Sequence, residues 1–178
     1  AQHGTSAFPS EVTAQMVLNF LNGGAAINVI ARQHDIALKV VDAGVAADFA
    51  EFGVNQHPQL LDYKVRLGSR DALAEPAMTL EECIAALQSG MEIAKALEGN
   101  LLICGEMGIG NTSAASLLLA KLTDTPLAEC IGRGTGLDET GLQHKLQVLS
   151  QVLKRYEAVT EPLEILAAAV SYTHLRAH

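Results

Sequence analysis

Tryptophan is absent from this 178-residue chain, aromatic residues make up 4% of it, and lysine plus arginine total 12 against 20 acidic residues. A nucleic-acid-binding surface needs a cationic stripe to neutralise phosphates and flat side chains on which bases stack. The basic residues here are scattered and the net charge is -8, so no nucleic-acid partner is expected. Cysteine is sparse too. Cys83, Cys104 and Cys130 lie far apart without C-x-x-C pairing and are expected to be buried thiols of a reducing compartment, not a disulfide framework. Six histidines show no ligand spacing, so neither a metal nor a cofactor is expected. No apolar run approaches the roughly 20 residues of a membrane span, and no basic, apolar leader precedes Ala1. The expected location is therefore the cytoplasm, with no membrane partner.

What the chain does contain is glycine in two clusters. In the first, Gly105-Glu106-Met107-Gly108-Ile109-Gly110-Asn111-Thr112 stands between the apolar run Leu101-Leu102-Ile103-Cys104 and an Ala- and Leu-rich run from Ser113 to Lys121. The first run has the length and continuity of a buried parallel strand, and the second reads as a helix. A helix N-terminus presents unpaired N–H groups and the positive end of a dipole, and glycines let an anion approach closely. Gly105-x4-Gly110 matches the opening of a P-loop, but Asn111 stands where the lysine would be, which argues against nucleoside-triphosphate hydrolysis. Ser113 replaces the third glycine of a dinucleotide fingerprint, which weighs against an NAD-binding oxidoreductase. The turn is expected either to hold a single phosphate or phosphosugar or to be a ligand-free strand-to-helix connection.

Along the chain, helix and strand alternate. Pro9-Ser10-Glu11 opens a helical pattern through Met16, Val17, Phe20, Leu21, Ile27 and Ile30, with Gly23-Gly24 marking close packing or a break. Leu38 to Val41 reads as a strand ending at Asp42, which is either near a ligand or a turn cap. Residues 45–77 show no clear period and are expected to form a long functional or mobile loop. Thr79-x-x-Glu82 is a capping box, followed by a stripe of Ile84, Leu87, Met91, Ala94 and Leu97. The second cluster, Gly132 to Asp138, precedes a helix with the stripe Leu142, Leu146, Leu149, Leu153 and Tyr156. Lys145 near that helix start either supplies positive charge to a phosphate or is a solvated surface lysine. Arg133 likewise reaches an anion or faces water. The expected fold is α/β, a parallel sheet flanked by helices in a Rossmann-like three-layer arrangement.

These motifs, with Ser6-Ala7-Phe8-Pro9, Glu11 to Met16, Gly23 to Asn28, Val40 to Val45 and Glu75 to Thr79, occur in the order found in nicotinate-nucleotide–dimethylbenzimidazole phosphoribosyltransferase, and the chain resembles that family from about Gly4 to Ala168. The resemblance implies transfer of phosphoribose from nicotinate mononucleotide to 5,6-dimethylbenzimidazole, giving α-ribazole 5′-phosphate and nicotinate for cobalamin assembly. It implies small-molecule substrates, a homodimer when full length and no metal in the chemistry. By position it assigns phosphate and ribose binding to Glu106, Gly108, Ile109, Gly110, Asn111, Thr112 and Lys145, and the base-receiving wall to Phe8, Pro9 and Met16. The family's general-base glutamate lies beyond the matched region, which leaves Glu106 a supporting candidate and no catalytic residue in this chain. The expected division is 1–170 as the central part of the phosphoribosyltransferase domain and 171–178 as a non-native or out-of-frame tail, the whole being an internal fragment, incomplete at both ends. A non-catalytic phosphonucleotide-binding domain is the alternative for such a fragment.

Overall fold

The structure, a computed structural model, describes residues 2–169. The expected tail at 171–178 lies outside the described residues. After a short 3-10 turn (Gln2–Gly4) come α1 (Val12–Leu21) and α2 (Ala26–Gln33), then strands β1 (Val40–Asp42) and β2 (Leu60–Asp62). Helices α3 (Leu80–Ala96), α4 (Asn111–Thr123), α5 (Leu127–Cys130), α6 (Glu139–Arg155) and α7 (Pro162–Ala169) follow. The fold is α/β, with a small parallel sheet flanked by helices: β1 and β2 pair in parallel, Val40 opposite Leu60 and Asp42 opposite Asp62.

Gly23-Gly24 is a break between two helices. Asn28, buried in the first turn of α2, accepts from the Ala25 N–H and donates to the Phe20 carbonyl, stapling both sides of the break. The segment Val12–Gln33 is apolar enough to be considered for a membrane span. Its two helices, ten and eight residues long, each fall short of the length required. The capping box forms as the sequence predicts: Thr79 Oγ1 accepts from Glu82 N–H, and Glu82 accepts from Thr79 N–H. Glu82 also holds Arg70 through both guanidinium nitrogens at 2.5 and 3.0 Å.

Helix α4 lies at the centre of the helical layer, buried on two sides. Ala114 and Leu118 pack with Met78, Cys83, Ala86 and Ile165, while Leu117 packs with Leu149 and Val152. A separate cluster of Ala14, Val17, Leu21, Phe49 and Leu60 joins α1 to the sheet. The last turn of α7 is tied to the segment before α3: Ala77 and Met78 N–H groups donate to the Ala168 and Ala167 carbonyls.

Several expectations are corrected. Leu101 to Cys104 belongs to no strand and is exposed, Leu101 by 79% and Ile103 by 68%. An apolar extended segment is buried only where neighbouring strands cover it, and none among the described residues does. Conversely, the 45–77 segment is not wholly irregular, because it supplies β2. The α3 stripe faces outward at Ile84, Met91 and Ala94, while Cys83 and Ala86 enter the core. The buried face of α6 is Lys145, Val148, Leu149 and Val152; of the leucine stripe only Leu149 is buried, and Leu142, Leu146, Leu153 and Tyr156 are half-buried. Of the thiols only Cys83 is buried; Cys104 is exposed and Cys130 half-buried.

Candidate functional site

Both glycine clusters converge on the first turn of α4. Gly110, at φ 93°, adopts the left-handed conformation that glycine takes without steric cost, and without a side chain it leaves that turn uncapped. Glu106 folds back over the turn, its Oε1 accepting from Gly108 N–H and from the Asn111 side-chain amide. Asn111 is itself buried and anchors the arrangement. A Cβ at Gly108 would come within 2.6 Å of the Asn111 amide nitrogen, so any side chain there disturbs the Glu106–Asn111 pair.

From the other side comes Lys145, in the second turn of α6. It is fully buried, which removes the solvated-surface reading of this residue. Its ammonium donates to Thr112 Oγ1 at 2.9 Å and to the Gly132 carbonyl at 3.3 Å. Both acceptors are uncharged, and desolvation pushes the Lys145 pKa below the usual 10.5. Gly134, at φ 55°, lies against this pair: a Cβ there would sit 3.0 Å from Thr112 Oγ1. The second cluster is thus drawn onto the first by close backbone approach.

Arg133 faces water and is held by Glu139 at 2.8 Å and the Leu137 carbonyl, a loop brace away from the turn. Asp42 is a turn cap. It is 1% exposed, its Oδ1 accepts from Gly44 and Val45 N–H, and its Oδ2 pairs with Lys64 at 2.8 Å. Lys64 in turn donates to the Val45 and Ala47 carbonyls, pinning the loop after β1.

The N-terminal segment lies across the second cluster. Ser6 Oγ is 3.4 Å from Thr135 Oγ1, His144 Nε2 bonds the His3 carbonyl at 2.7 Å, and His3 contacts Asp71 at 2.7 Å. Partial desolvation raises the Asp71 pKa, but the His3 hydrogen bond, the Leu73 backbone N–H and the His3 charge together outweigh it and hold the carboxyl below its ordinary value. Phe8 and Pro9 are exposed and Met16 is half-buried on α1. This segment is joined to the glycine turn by Thr13, whose Oγ1 accepts from Ile109 N–H at 3.1 Å. Thr13 lies within the Glu11 to Met16 motif, but nothing in the sequence marks its contact with the turn; only the long-range hydrogen bond reveals it. Among the described residues no group of His, Cys, Asp and Glu side chains is placed to hold a metal.

The arrangement pairs an uncapped helix N-terminus and a buried ammonium, both favouring an anion, with a carboxylate able to accept from hydroxyl groups beside it. A family model described as phosphoribosyltransferase matches residues 1–174. The chain belongs to this phosphoribosyltransferase family. Its curated relatives include the nicotinate-nucleotide–dimethylbenzimidazole phosphoribosyltransferase of Variovorax paradoxus (strain S110), 52% identical over 94% of this chain and 47% of the relative. The protein of the same name from Cupriavidus necator is 51% identical over 94% of this chain and 48% of the relative. Among solved structures, CobT from Thermus thermophilus superposes with a TM-score of 0.86 at 44% identity, covering 98% of this chain and 52% of that one. This phosphoribosyltransferase chain therefore spans about half the length of the relatives it matches.

Proposed function

We propose that this chain is the phosphate- and ribose-holding part of an enzyme that transfers phosphoribose from nicotinate mononucleotide to 5,6-dimethylbenzimidazole, releasing nicotinate and forming α-ribazole 5′-phosphate for cobalamin. The observation that carries the proposal is Lys145: a fully buried ammonium facing the uncapped start of α4, with only uncharged acceptors. Burying a charge without a countercharge is costly, and the nucleotide's phosphate supplies that countercharge. Glu106, Gly108, Ile109, Gly110, Asn111 and Thr112 frame the phosphate and ribose, and Phe8, Pro9 and Met16 receive the base.

In this reading a benzimidazole nitrogen attacks the anomeric carbon while the bond to nicotinate breaks, its electron pair going to the nicotinate ring nitrogen. The second benzimidazole nitrogen then loses its proton to a general base. That base comes from the portion of the relatives' length that this chain does not span. The same portion adds strands beside residues 101–104 and completes a three-layer sheet. The enzyme works as a homodimer in the cytoplasm.

The test joins this chain to the remaining part of a relative, supplies both substrates and looks for α-ribazole 5′-phosphate by mass spectrometry. Product supports the proposal. A folded, nucleotide-binding chimera that forms none favours a binding-only domain instead.

A further inference from the structure

We infer that Thr13 is a positioning residue that keeps the base-receiving wall in register with the nucleotide-holding turn. The inference rests on the site reading proposed above. Ile109 lies between Gly108 and Gly110, and its N–H donates to Thr13 Oγ1 at 3.1 Å across 96 positions of sequence. Thr13 is the second residue of α1. The Pro9 and Ser10 carbonyls accept from Val12 and Thr13 N–H at 3.3 and 3.0 Å, so the segment carrying Phe8 and Pro9 is continuous with the first turn of that helix. Met16 lies three residues on, a spacing that shares one helix face with Thr13. A shift of the glycine turn is therefore passed through one hydrogen bond to the proposed base-binding residues.

That bond is not what holds α1 in the fold. Ala14, Val17 and Leu21 anchor the helix in the cluster with Phe49 and Leu60. The threonine hydroxyl sets the helix's register against the turn, and its β-branched side chain restricts the directions from which it can accept. Because nucleotide and base must be aligned for in-line displacement, the effect of losing the hydroxyl falls on joint occupancy of the site more than on either ligand alone.

The experiment measures binding of 5,6-dimethylbenzimidazole to this chain with and without saturating nicotinate mononucleotide, with the melting temperature recorded for each variant. In the wild-type chain the nucleotide tightens binding of the base. Thr13→Val, which keeps the shape and removes the acceptor, leaves each single-ligand affinity unchanged and weakens the coupling by about tenfold. Thr13→Ala behaves alike, and Thr13→Ser restores the coupling. Full coupling in Thr13→Val overturns the inference, as does loss of coupling in Thr13→Ser or a parallel fall in melting temperature and both single-ligand affinities. A wild-type chain that binds both ligands without coupling also overturns it. A folded wild-type chain that binds neither ligand overturns the site reading itself, separating the two failures.

Discussion

Lys145 buries its ammonium in the second turn of α6, against Thr112 and the Gly132 carbonyl. Its position near a helix start admits either a phosphate contact or a solvated lysine, and no periodicity separates them because the leucine stripe lies one position away. The structure separates them by burial, since the ammonium sits under Thr112 and Gly132 with no access to water. Replacing it with the apolar Lys145→Met should leave the melting temperature unchanged or higher, because a desolvated charge is removed. Affinity for nicotinate mononucleotide should fall about ten- to hundredfold, the contribution of a hydrogen bond between charged groups; calorimetric titration decides it. The same burial has a pH signature. The folded chain binds the Lys145 proton less tightly than the unfolded chain, so ligand-free stability should rise with pH between the lowered value and 10.5. Denaturant midpoints that rise no less steeply in Lys145→Met would contradict this.

At the level of elements, what is legible in the sequence is what short-range chemistry decides. The capping box before α3, the break at Gly23-Gly24 and the glycine turn into α4 each depend on residues a few positions apart, and each forms. Leu101 to Cys104 misleads because strand character there depends on partners elsewhere, and β2 escapes notice because three residues after a proline carry too little pattern. Long-range hydrogen bonds such as Ile109 to Thr13 are illegible for the same reason. Asp42 admits both a ligand contact and a cap in the sequence, and its partners fix it as the cap that organises the β1–β2 connection. Asp42→Ala should cost about 3 kcal/mol or more, since it strands the Lys64 ammonium and frees two backbone donors. A denaturation midpoint within error of wild type would argue that the pair is dispensable.

For the molecule as a whole, Leu101, Leu102 and Ile103 are exposed together, 79%, 52% and 68%, and Met91 and Met107 are exposed as well. An uncovered apolar segment with strand-like composition invites association between copies. This chain alone should therefore melt below about 55 °C, within or under the mesophile range, and aggregate as it does so. Leu101→Lys with Ile103→Lys should suppress the aggregation seen by light scattering while leaving the monomer's melting temperature in place. A drop in that temperature would mean the segment is packed in solution.

The pairing of Ala77 and Met78 with the last turn of α7 has a further consequence for the order of assembly. It ties residue 77 to residue 168, and α3, α4, α5 and α6 all lie inside the loop so closed. The entropy of closing such a loop is recovered only after the enclosed helices have shortened it. The seam is therefore expected to form after the enclosed helices and to open before them. Hydrogen exchange would show this as a Met78 amide that loses protection ahead of those within α4.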